Sequence, residues 1–191
     1  YDFYEKLSGD RITKQLIEYH TAGFCGVNGF MLWPLAFSST REQDYMAYMQ
    51  FAVATSRWCF KAMAEHGGIT LSDPPTPVAT PMGFEQAGRH LVRQIRDLPA
   101  PNTNADYARE SAAALAQYQL RWLTYGASVL ADDLDDCQRL TGKRPNGQDD
   151  MMQHLESYVV HADAREDARL IQHFHNWLRR QDFLLTGCGA A

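Results

Sequence analysis

The chain has 191 residues, 45% hydrophobic and 21% charged, with 18 basic against 23 acidic side chains and a net charge of −5. That is enough for one domain with a single sizeable core, and too apolar for disorder over most of its length. No basic run or stripe is present to track phosphates, so nucleic acid is excluded as a partner.

Cys25, Cys59, Cys137 and Cys188 form no CxxC pair and no zinc spacing. They are expected to be free thiols in a reducing compartment, which places the protein in the cytoplasm. The first residue is Tyr1 rather than Met, as expected where a native N-terminus, with any targeting signal in it, has been lost.

Alternating runs of Val, Ile and Thr are missing, while apolar residues recur at spacings of three and four. This periodicity predicts an all-α fold, an elongated helical bundle forming a single domain. A first helix is expected from about Asp10 to His20, ending at Gly23. The next stretch, 21–40, carries no formal charge and holds Phe24, Phe30, Trp33 and Phe37 among Gly23, Gly26, Gly29 and Pro34. Its glycines and proline make a poor unsupported helix, so no transmembrane span is expected. An irregular apolar segment that needs a cover is the reading they favour.

Thr40 and Gln43 form a capping-box pattern ahead of a second helix that Gly67 and Gly68 stop. Its middle, Val53 to Met63, is apolar nearly all round apart from Arg57 and Lys61, as in a central helix contacted on several sides. These N-terminal helices occupy 1–66. A Pro-rich linker, 67–82, follows, because Pro74, Pro75, Pro77 and Pro81 favour extended backbone.

The remainder, 83–191, is predicted as a short helix near Phe84 to Leu98 and then a long αα-hairpin. The outgoing helix begins at about Asp106, with Leu115, Tyr118, Trp122, Tyr125 and Val129 as its apolar stripe. Gly142, Pro145 and Gly147 mark the turn, with Lys143 and Arg144 before it and Asp149 and Asp150 after it, each suited to its helix end. The returning helix is expected to run unbroken to Gly187, carrying Leu155, Tyr158, Leu170, Phe174, Trp177 and Leu178.

Asp132, Asp133, Asp135 and Asp136 resemble the Asp-rich motif of isoprenoid-type synthases, in which helical carboxylates hold magnesium around a diphosphate. The second metal-binding helix of those enzymes is not visible, and Asp132, Asp135 and Asp136 are read as a solvated face opposite Leu134 and Cys137. Gln43, Asp44 and Tyr45 resemble the Gln-Asp-Tyr helix of thiaminase-type and heme-oxygenase-like bundles, which would imply a small ligand held between helices. On that reading Asp44, Tyr45, Glu65 and His66 are the candidate acid and base groups. No Glu-x-x-His pair supports a di-iron bundle. His154 and His161, seven apart on one helix face, are the candidate metal ligands, although no metal site and no cofactor is predicted.

Aromatics dominate interface energetics. Phe24, Phe30, Trp33, Phe37, Trp122 and Trp177 are therefore the candidate partner-binding residues. Long amphipathic stretches such as Tyr118 to Gly142 resemble phasin-type granule-coat proteins, from which the Pro-rich linker departs. The expected function is a non-catalytic interaction or scaffold subunit that self-associates, or docks on a partner protein or apolar surface. The alternative is a small-molecule enzyme with a pocket inside the bundle.

Overall fold

Helical periodicity translates directly into structure. The computed structural model describes residues 2–36, 45–80 and 83–189. Among them the regular elements are all helical, in the order α1 Asp2–Ser8, α2 Lys14–Ala36, α3 Tyr45–His66, α4 Glu85–Arg96, α5 Thr103–Thr141, α6 Gln148–His161 and α7 Asp167–Leu185. Together they form a helical bundle. No helix among the described residues is long and apolar enough to cross a membrane.

The expectation of an irregular segment after Gly23 is corrected, because α2 runs on through Gly23, Gly26, Gly29 and Pro34. Tertiary packing overrides the weak local propensity. A β-carbon on Gly29 would lie 2.8 Å from Ser56 Oγ, and one on Gly26 would lie 3.3 Å from Cys59 Sγ. These glycines let α2 and α3 approach closely, and contact along the shared face supports the helix. Phe37, Asp44, Pro81 and the capping pattern of Thr40 and Gln43 lie outside the described residues.

Helix α3 packs on α2, α5 and α7, as expected of a central helix. Its Arg57 reaches Asp182 of α7 at 2.6 Å. The stretch 69–80 has no regular structure and lies across two helices as a strap. Ser72 exchanges hydrogen bonds with the Gln172 side chain, and Asp73 pairs with His175 and Arg179 of α7. Further along, the Val78 and Thr80 amides donate to Ser128 Oγ and the Thr124 carbonyl of α5.

At 39 residues, α5 spans roughly 58 Å. Asn102 caps its start by accepting from the Ala105 amide at 2.9 Å. Gly142 ends it in the left-handed region at φ 79°, and Arg169 donates to the Arg139 and Leu140 carbonyls of the last turn. The returning rod, expected to be continuous, is in fact two helices. Asp163 leaves the helix at φ −111°, ψ 174°, and its carboxylate accepts from the Arg165 amide at 2.9 Å to start a 3₁₀ turn over Ala164–Glu166.

Two hydrophobic clusters result. The larger joins Met46, Met49 and Val53 of α3 to Ala114, Tyr118 and Val129 of α5 and Leu184 and Leu185 of α7. The smaller holds Cys137, Leu140, Met151 and Leu155 at the turn end of the hairpin. Between them along α5 lie Asp133 and Asp136.

Candidate functional site

Where the two clusters meet, the bundle buries charge. Arg180 of α7 is 2% exposed, and Asp133 and Asp136 of α5 are each 5% exposed. One guanidinium bridges both acids, with Nε donating to Asp133 Oδ1 at 2.6 Å and Nη2 donating to Asp136 Oδ2 at 2.5 Å. Asp136 also accepts from Asn176 at 3.3 Å and from Arg139. The reading of Asp136 as part of a solvated face is thereby corrected: α5 turns Asp133 and Asp136 inward, and Arg180 compensates them. Asp132 and Asp135 are half-buried.

The two carboxylates titrate in opposite directions. Burial opposes the charge on both, but at Asp136 the guanidinium of Arg180 and then that of Arg139 outweigh it and hold the carboxyl low. Asp133 has Arg180 alone against burial and the neighbouring acids, and it is pushed up to about 6. Arg180 loses hydration, but its two carboxylates more than offset that and raise its pKa. Beside them His173, 6% exposed, is driven down to about 4 chiefly by burial. It is a neutral imidazole at neutral pH.

These groups border two adjoining cavities. One, of about 380 Å³, is lined by Asp133 and His173, by Met151, Leu155 and Val159 of α6, and by Phe174 and Trp177 of α7, among others. The second, of about 250 Å³, shares Asp133, Met151, Met152 and Trp177 with the first and continues toward Trp33, Tyr45, Tyr118 and Trp122. The exposed members of the first lining, Met152 and Val159, place its mouth along α6. The combination is that of a small-ligand pocket: a mostly apolar wall with a few convergent polar groups.

The candidate acid and base groups do not converge. Tyr45 lines the second cavity, and burial raises its pKa, whereas Glu65 and His66 are exposed at the other end of α3, about 30 Å away along the helix axis. Glu65 pairs with Lys61 at 3.8 Å. Asp44 is outside the described residues. His154 pairs with Asp150 at 3.3 Å, and His161 Nδ1 lies 2.7 Å from the Ser157 carbonyl oxygen. Two helical turns, about 10.5 Å, separate the two imidazoles, and among the described residues no three His, Cys, Asp or Glu side chains cluster as a metal site.

The candidate partner-binding residues divide into two groups. Trp33 donates to Ser56 Oγ at 3.1 Å and packs on Trp177 at 5.2 Å between ring centroids. Trp122 packs against the larger core. These three tryptophans face the interior and its cavities. Phe24 and Phe30 point outward, 72% and 83% exposed, and Tyr19, Val27 and Met31 share their side of α2. The opposite side of the helix buries Glu18, Cys25, Gly29 and Ala36. Phe37 is outside the described residues.

Arg180, His173 and the inward turn of Asp133 and Asp136 are the features the sequence did not reveal. A signal was there. Asp133 falls four residues after Val129 and four before Cys137 on the inward side of α5, and Arg180 falls between Trp177 and Leu184 on that of α7. Opposite charges on two inward-facing stripes are the mark of a buried pair. No family model matches the chain, and no curated protein or solved structure is similar enough to count as a relative.

Proposed function

We propose that the protein is a non-catalytic helical interaction subunit that docks an apolar partner surface, or a second copy of itself, on the outer face of α2. One observation carries this reading. Tyr19, Phe24, Val27, Phe30 and Met31 project from one side of α2 over more than three turns and are exposed throughout, while α3 packs on the other side. Contiguous apolar surface of this kind marks interaction sites. The only charged residues on α2 are Lys14 and Glu18, paired with each other at 3.3 Å, so the helix itself carries no net positive charge to draw it to anionic lipid.

The test is size exclusion with light scattering, together with adsorption to phenyl-coated beads, on the wild type and on Phe24→Ser/Phe30→Ser. The expected result is an oligomer or strong adsorption for the wild type, and a monomer that adsorbs weakly for the variant, with helicity unchanged by circular dichroism. A monomeric wild type that adsorbs no better than the variant would defeat the proposal.

A further inference from the structure

We propose that the cavity between α5, α6 and α7 binds a small amphiphile with an apolar chain and a cationic or hydrogen-bond-donating head, the head seated against Asp133. The inference is independent of the α2 docking face.

The wall chemistry selects this class. Methionines, Leu155, Val159, Phe174 and Trp177 offer a polarisable apolar lining, and about 380 Å³ is within the range of small-molecule sites. The ionisable groups of the lining are Asp133, Glu156 and His173, with no Lys or Arg among them. His173 is neutral because burial holds its pKa down. An anionic head would meet two acids and no cation, while an ammonium would find compensation.

Asp133 is suited to receive the head. Its side chain is 7% exposed, and among the described residues its hydrogen bond is the one that Arg180 makes to Oδ1. It lines both cavities. The buried trio of two acids and one guanidinium leaves one negative charge, which Arg139 compensates only on the Asp136 side. Burial opposes the charge on this acid, and a donor or cation placed at Oδ2 would give the carboxylate a second partner. Glu156, exposed beside the mouth, adds to the attraction for a positive head.

The experiment titrates the intact protein at neutral pH with n-octylamine, 1-octanol and octanoate. Isothermal calorimetry is the readout, with tryptophan fluorescence followed in parallel because Trp177 is in the wall. Saturable binding of one octylammonium is expected, at least about tenfold tighter than octanoate, with octanol between them. Asp133→Asn should reduce the amine preference over octanoate to about threefold or less. Leu155→Trp, which fills the cavity and leaves the Asp133–Arg180 contact in place, should abolish binding. Should Asp133→Asn fail to fold, the wild-type ranking of the three probes and the Leu155→Trp result decide. Octanoate binding as tightly as the amine, no saturable binding of any probe, or amine binding unchanged in Leu155→Trp would overturn the proposal.

Discussion

The Asp133 carboxyl and the His173 imidazole give this protein two opposed pH responses in one place. Asp133, at about 6 in the folded chain, is well above the ordinary value of about 3.9. Between those limits the folded state holds more protons, so the stability this group contributes is present below about pH 4 and is lost as pH rises through 6. His173, at about 4 against an ordinary 6.5, does the reverse. There the unfolded state holds more protons, so stability rises with pH from about 4 to 6.5. The two slopes largely cancel in the wild type. Removing either titration should expose the other. Urea unfolding across this window is expected to show a steeper rise of stability with pH for Asp133→Asn than for the wild type, and a flat or falling profile for His173→Gln. Parallel profiles for all three proteins would show that neither group titrates as its burial demands.

Among the helices, α2 shows most clearly how context decides an element. Gly23 faces solvent, and a β-carbon there would meet nothing within 4 Å. Gly23→Ala should therefore act through helix propensity alone and raise stability by about 0.5–1 kcal/mol. At Gly29 the same atom would press on Ser56 Oγ at 2.8 Å, and that hydroxyl accepts the Trp33 indole hydrogen bond. Gly29→Val is expected to cost about 1–3 kcal/mol by prising α2 from α3. Denaturant midpoints at constant m-value check both, and destabilisation by Gly23→Ala would argue against a continuous α2. The break between α6 and α7 was legible in principle. Asp163 followed by Glu166 is an acid-first capping pattern, but it is masked by an apolar periodicity that continues on either side.

Across the whole molecule, stability is distributed unevenly. Helices α3, α5 and α7 share the larger core, whereas α1 has no buried residue. Deleting residues through Gly9 should change the unfolding free energy by less than about 0.5 kcal/mol, and α1 amides should exchange hydrogen at the earliest times while those of α3 and α7 persist. Protection of α1 comparable to α3 would contradict this and point to a cover over Phe3 and Leu7, which are 76% and 73% exposed. By itself the sequence determined the helical class, the stripe from Leu115 to Val129, the stop at Gly67 and Gly68 and the turn around Gly142. Each depends on periodicity or on backbone chemistry within a few residues. Only the tertiary structure decided that α2 continues through its glycines, that Trp33 and Trp177 meet inside while Phe30 stays outside, and that Asp133 and Asp136 are buried. The reason is distance along the chain. Ser56 lies 27 residues beyond Gly29, and Arg180 lies 47 beyond Asp133, so their effects exist only once the helices are side by side.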